Sequence, residues 1–191
     1  MAGAGGCDGY AQDFVEPLSL GIISMHTSPI DRPGSGDAGG MNVVESAQAR
    51  ALAALGHRVH LVTRRSDPDQ PDLIQLGDGV DLHVLDAGPA RRLAKSDIDQ
   101  YIEEFREGLW QLAEHCQWDL VHSHHWMSGV AALPVAKAKG IPHVQSFHSV
   151  AALPNSPLSE GEPPESPHRV AGEHLAAHTS DAVVAISAAE D

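Results

Sequence analysis

Short apolar runs rich in β-branched residues recur along this chain, and between them apolar residues return at helical spacing. The runs are Leu18–Met25, Arg58–Thr63, Val80–Asp86, Asp119–Ser123, Pro142–Phe147 and Ala182–Ile186. Strands separated by helix-length segments predict βαβ units and a mainly parallel sheet. In the first such segment Val44, Ala47, Ala51 and Leu55 share one helical face, and Gly56 suits the C′ position that ends the helix. Further helices are predicted over Asp97–His115, Ser128–Lys139 and from Ser166 to about His178. The fold class is therefore α/β, a Rossmann-like parallel sheet flanked by helices.

A length of 191 residues suits one domain. We place it at 18–191, with residues 1–17 as a loose polar tail that lacks the basic and apolar regions of a secretory signal. With 12 Lys+Arg against 26 Asp+Glu the formal charge is −14. That excludes a general electrostatic grip on nucleic acid or anionic lipid. An anionic ligand must instead be held by a few placed cations. No apolar run approaches the ~18–20 residues of a membrane-spanning helix. The two cysteines, Cys7 and Cys116, form neither a disulfide framework nor a CxxC knuckle. A reducing cytoplasm is expected.

Three segments interrupt the rhythm: Thr27–Gly40, Ser66–Asp72 and Pro154–Pro167. The first and last are long for connections in an α/β unit. Ligands of open parallel sheets bind at the carboxyl ends of the strands. Here those ends deliver His26-Thr27-Ser28, His122 to Trp126, and Ser146 to Ser149. The loop Gly34-Ser-Gly36-Asp-Ala-Gly39-Gly40 precedes a helix, where bare backbone amides suit a phosphate. Its match to a dinucleotide fingerprint is loose, because residues 27–33 intervene and Thr63-Arg64-Arg65 ends the second strand without an acid. An NADP-dependent oxidoreductase domain, with the arginines on a 2′-phosphate, remains an alternative, as does an ordinary surface loop. His122 and His124 share a strand face, but no carboxylate or cysteine stands near at metal-ligand spacing, so no metal is predicted.

The string Ile23 to Pro29, then Pro33 to Val43, then Asp86 to Pro89, Leu120 to His124 with Trp126, Ser128 and Gly129, resembles the retaining GT-B glycosyltransferases of the family 4 type. The likeness resumes at His148, Ala151, Ala152, Asn155, Ser156, Pro164 to Ser166, Arg169 and Glu173. It is closest to the D-inositol 3-phosphate glycosyltransferase branch of mycothiol biosynthesis, with sucrose and sucrose-phosphate synthases more distant. The resemblance implies the N-terminal half of a GT-B fold, an acceptor-side domain whose C-terminal donor domain is absent. It implies a nucleotide-diphosphate sugar, UDP-linked, as donor substrate, and no cofactor in this chain. By the same resemblance Gly39 and Gly40 lie against the donor diphosphate, and Asp37 and Asn42 border the acceptor pocket. His26 reaches the acceptor, and His148 takes the catalytic place beside the donor sugar. Lys95, His125, Ser149 and Arg169 grip an acceptor phosphate. The branch carries Tyr where this chain has His125 and Thr where it has Ser149; both replacements still hydrogen-bond to phosphate. The expectation is an enzyme that is inactive as this fragment and can pair as a homodimer, with a non-catalytic sugar-phosphate-binding half-protein as the other alternative.

Overall fold

Each strand begins where the sequence turns apolar and ends where it turns polar, and the connections decide which strands become neighbours. The structure, a computed structural model, describes residues 16–31, 34, 39–151 and 166–185. In chain order the elements are β1 (Ser19–Ser24), α1 (Gly40–Ala54), β2 (Arg58–Arg64), β3 (Leu73–Gly77), β4 (Val80–Leu85), α2 (Lys95–Ile98), α3 (Ile102–Cys116), β5 (Leu120–His124), α4 (Trp126–Lys139), β6 (His143–Ser146), α5 (Arg169–Thr179) and β7 (Ala182–Val183). They form one sheet in the order β3-β4-β2-β1-β5-β6-β7. Every pairing is parallel except β3 with β4. Residues 1–15 of the tail predicted at 1–17, Asp37, and the segment 152–165 lie outside the described residues.

The antiparallel edge is a strand the sequence pattern does not show. β3 is mostly exposed, so it has no buried face to impose alternation. Asp78-Gly79 joins it to β4 with Gly79 at φ 77°, an Asp-Gly hairpin signal that would have located it.

Helices cover the sheet unequally. α3, α4 and α5 bury Phe105, Leu109, Trp118, Trp126, Met127 and a run of alanines in one continuous layer with Ile23, Val62 and Val121 of the strands. α1 covers the opposite face, over an aliphatic cluster that includes Ile22, Leu61 and Leu82. The apolar face of α1 identified in the sequence proves to be its outer one. Val44 and Leu55 are 40% and 73% exposed, and the residues turned inward are Asn42, Glu45 and Ala49. Apolar spacing fixes a face, but polar residues claimed the inner one because it overlies the strand ends.

α4 is apolar all round and correspondingly buried. Pro134 lies inside it and has no N–H, which frees the carbonyl of Val130 one turn back. Arg106 of α3 supplies the missing donors, giving Nη2 to Val130 O at 3.0 Å and Nε to Ala131 O at 3.3 Å. Gly129 and Gly172 admit no Cβ, since one would collide with Gln145 and the other with the Trp126 ring. These glycines let α4 and α5 sit close.

Candidate active site

Three strand ends and two helix starts meet at one cleft of about 350 Å³. His26, Gly39, Gly40, Met41, Val44, Lys95, His125, His148 and Ser149 line it. Seven of the residues singled out from sequence are thus on one surface. A larger hollow lies between the β3–β4 edge and α3, with Asp72, Asp86, Glu104 and Glu107 on its walls. Among the described residues no orphaned buried polar group lines it.

His26 and His125 stack with ring centroids 4.1 Å apart. His125 is buried and neither ring nitrogen has a partner among the described residues; Nδ1 of His26 is likewise unpaired. Burial pushes the His26 imidazole down to about 3, with the charges of Lys95, His148 and Arg169 adding to the effect. Burial likewise holds His125 well below the ordinary histidine range, helped by His26, Lys95, Arg169 and His148. Both rings are neutral near pH 7, so each offers a ligand one donor and one acceptor. The charge at the site comes from Lys95 and Arg169, whose fields reach both rings.

The backbone at two of these histidines is strained. His125 sits at φ 68°, ψ 155°, and His148 at φ 63°. Conformations of this kind cost about 1–3 kcal/mol each and persist where surrounding structure enforces them. At His125 the enforcement is visible: its N–H donates to Ser146 O at 2.8 Å, and its carbonyl accepts from Gln145 Nε2 at 3.2 Å.

Arg169 is 3% exposed. Nε meets Glu173 Oε1 at 2.7 Å, and Nη2 donates to Ser149 Oγ and O at 3.1 and 3.0 Å. Glu173 also accepts from Ala151 N. The pair fastens 149–151 onto α5 and sets the Ser149 hydroxyl at the cleft. Asn42 does not line the cleft. Its amide donates to Ser28 O, and its Oδ1 accepts from Gly39 N at 3.1 Å, so it fixes the path from β1 into α1. Gly39 and Gly40 then present open backbone: a Cβ on either would meet nothing of the protein within 4 Å. Neither has a positive φ that demands glycine. Bare backbone here leaves room for something outside the chain.

Behind the cleft lies a second layer that the sequence pattern alone does not reveal. His148 Nε2 and His124 Nδ1 are 2.6 Å apart. Glu45 is fully buried, with Oε1 3.9 Å from the same His124 nitrogen. Ser24, beside Glu45, gives its proton to Thr27 O. Burial pushes the Glu45 carboxyl up to about 8, with Ser24 opposing, so it is an uncharged acid near neutrality. His122 is saturated, with Gln48 on Nδ1 and Ser146 on Nε2, both at 2.9 Å. The helical step from Asn42 to Glu45 to Ala49 would have flagged Glu45 as inward-facing.

The arginines that kept a 2′-phosphate reading open are spent internally. Arg64 donates to the carbonyls of Arg65, Pro89 and Arg91, and Arg65 binds Asp86, Asp72 and Gln70 O. The NADP alternative loses its anchor.

Known proteins resemble this chain in sequence and in fold. A D-inositol 3-phosphate glycosyltransferase of Thermobifida fusca is 41% identical over 174 residues, covering 90% of this chain and 40% of that protein. Its counterpart from Stackebrandtia nassauensis is 39% identical over 178 residues, covering 91% and 40%. The chain thus spans about 40% of the length of these relatives. Sucrose-phosphate synthase from Thermosynechococcus elongatus superposes with a TM-score of 0.77 at 24% identity, over 86% of this chain and 41% of that one. Acinetobacter baumannii MurG gives 0.51 at 14% identity, over 88% and 41%. The architecture is that of a Rossmann-like domain of GT-B glycosyltransferases. Among the described residues no helix is long and apolar enough to cross a membrane. The profile of the Glycosyl transferase 4-like domain matches residues 39–191, and the chain belongs to that glycosyltransferase family.

Proposed function

We propose that this chain is the acceptor-side domain of a retaining, cytoplasmic glycosyltransferase that moves a sugar from a UDP-linked donor to a small phosphorylated polyol or sugar. The observation that carries the reading is the division of labour in the cleft. Lys95, Ser149 and Arg169, with neutral His125, face one ligand, while Gly39 and Gly40 offer bare backbone at a helix start to another. That the relatives are D-inositol 3-phosphate glycosyltransferases supports the phosphorylated acceptor. Catalysis then rests on positioning and on stabilising the leaving diphosphate. His148, its ring held by His124, stands beside the transferred sugar, and His26 hydrogen-bonds the acceptor. Residues that hold the nucleotide belong to the part of the relatives that this chain does not span, so the fragment alone carries out no transfer.

Lys95→Ala is the cleaner test, because Arg169 also fastens 149–151 to α5. A hydrogen bond to a charged group contributes about 1.5–3 kcal/mol, so the variant should bind inositol 3-phosphate roughly ten- to a hundredfold more weakly by calorimetry. Binding of unphosphorylated inositol should not change. If the parent chain binds the two polyols equally, the phosphate assignment is wrong.

A further inference from the structure

On the far side of the sheet from Glu45, His60 of β2 and His83 of β4 point into the same space. The parallel register pairs His60 with Asp81 and Val62 with His83. The two imidazoles are therefore diagonal neighbours on the face that α3 covers. His60 Nδ1 and His83 Nε2 are 3.0 Å apart. Cys116, the last residue of α3, completes the cluster: one ligand atom from each of the three lies within 4.8 Å of the others. The α3 terminus is held there, because Cys116 O accepts from Ser19 Oγ at 3.0 Å and Gln117 turns the chain into β5 at φ 47°.

We propose that His60, His83 and Cys116 form a binding site for a divalent ion of borderline softness, with Zn²⁺ as its natural class of occupant. Two imidazoles and a thiol are the donor set such an ion selects, and three protein ligands leave a fourth position of the tetrahedron open. The imidazole nitrogens are slightly closer than two ligands of a tetrahedral ion and the whole set lies within 4.8 Å, so side-chain rotation brings the three atoms to ligand positions. On binding, the imidazoles stay neutral, and the proton between His60 and His83 moves to a ring nitrogen that faces away from the ion. The thiol proton leaves to solvent. Asp81, next to His60 in the register, is a carboxylate beside the cluster and is bridged to Arg58 at 2.6 Å. Its charge acts on His60, His83 and Cys116 alike. The thiolate offsets one of the ion's two charges, and Asp81, shared with Arg58, adds a partial counter-charge. The ion clips the end of α3 to the β2–β4 half of the sheet, at a place the catalytic cleft does not use. Sequence spacing hides the site, because its ligands come from three separate elements.

Co²⁺ is the probe, since a thiolate ligand gives it a near-ultraviolet charge-transfer band and tetrahedral geometry gives it strong visible bands. The 191-residue chain with Cys7→Ser, titrated with Co²⁺, should take up one equivalent with both signatures, and excess Zn²⁺ should bleach them. Cys116→Ser should abolish the charge-transfer band, and His83→Ala, at a half-buried position, should weaken binding at least tenfold. Thermal unfolding with and without Zn²⁺ gives a second readout: the parent midpoint should rise, and that of Cys116→Ser should not. Absence of the thiolate band in the parent overturns the site. So does the same spectrum and affinity after Cys116→Ser.

Discussion

The two faces of the central sheet are packed to different ends. Where α3, α4 and α5 lie, the strands meet Phe105, Leu109, Trp118 and Met127, and burial there is largely apolar, with His60, Asp81, Ser123 and His143 buried among it and hydrogen-bonded. Where α1 lies, the aliphatic cluster gives way toward the strand ends to Asn42, Glu45, His122 and His124, all buried and polar. Burying polar groups costs free energy unless every group is paired, and Glu45 and His124 Nε2 are not. The apolar face therefore carries the stability that lets the other face hold a strained, incompletely paired site.

The comparison breaks first if the apolar face is expendable. Phe105→Ala empties a fully buried position between α3 and the sheet, and should cost about 3–5 kcal/mol. For a chain of this size that lowers the thermal midpoint by roughly 2–4 °C per kcal/mol. Urea denaturation measures it directly. A loss below about 1 kcal/mol would show that this layer is not what supports the fold.

The polar face should reveal itself through pH. Burial lowers the His122 pKa to about 4. The unfolded chain, near 6.5, takes up the proton first, so it binds more protons than the folded one between those values. Stability from this group is complete above 6.5 and falls as the pH drops toward 4, by up to about 1.4 kcal/mol per unit. His26, lowered to about 3, and, on the opposite face, His143 and His60, each lowered to about 4, add to the same acid slope. His122→Gln should flatten the slope by close to one proton while keeping a partner for Gln48 or Ser146. An unchanged slope would mean that His122 is charged or solvated in the fold.

Glu45 has the opposite sign. Its carboxyl is raised to about 8 from 4.5, so the folded chain keeps a proton that the unfolded one has lost. Its contribution is fullest below 4.5, declines through that window and levels off above 8. Above about 7.5 the unfolded forms of His26, His60, His122 and His143 have lost nearly all their protons, so the Glu45 decline, about 0.7 kcal/mol at most over the half unit up to 8, dominates the slope. Glu45→Gln should remove it, giving a flat profile there. If the variant also lowers kcat of the full-length transferase with little change in donor KM, Glu45 positions His148 through His124. Any decline that survives in Glu45→Gln would move the uncharged acid to another residue.

Much of this was legible in advance where a period exists. Short apolar runs located β1, β2, β4, β5, β6 and β7, and the strand-end rule drew His26, His125 and His148 to one cleft. The exposed β3 had no alternation to read. The inner face of α1 was hidden because its buried residues are polar, so the apolar stripe pointed outward. Lys95 and Arg169 came from family resemblance, since no local pattern distinguishes a cleft cation from a solvated one. Glu45 beside His124, and the meeting of His60, His83 and Cys116, are contacts between distant elements that no window of sequence contains.

The smallest effect tests the outward stripe of α1. Leu55 caps the helix with its N–H on Ala51 O and Leu52 O, and its side chain is 73% exposed. Among the described residues, Val44, Ala47 and Ala51 continue that exposed line. Replacing Leu55 by Lys removes little buried apolar area, and a cation at a helix C-terminus interacts favourably with the last carbonyls, by about 0.3–1 kcal/mol when exposed. The two contributions nearly cancel, so Leu55→Lys should change unfolding free energy by no more than about 0.5 kcal/mol. Added salt should erase any gain, because the favourable part is electrostatic. A loss above about 1 kcal/mol that salt does not alter would mean this stripe is packed against something. The face bearing the polar site would then be a covered core like its opposite, and the contrast between the two faces would fail.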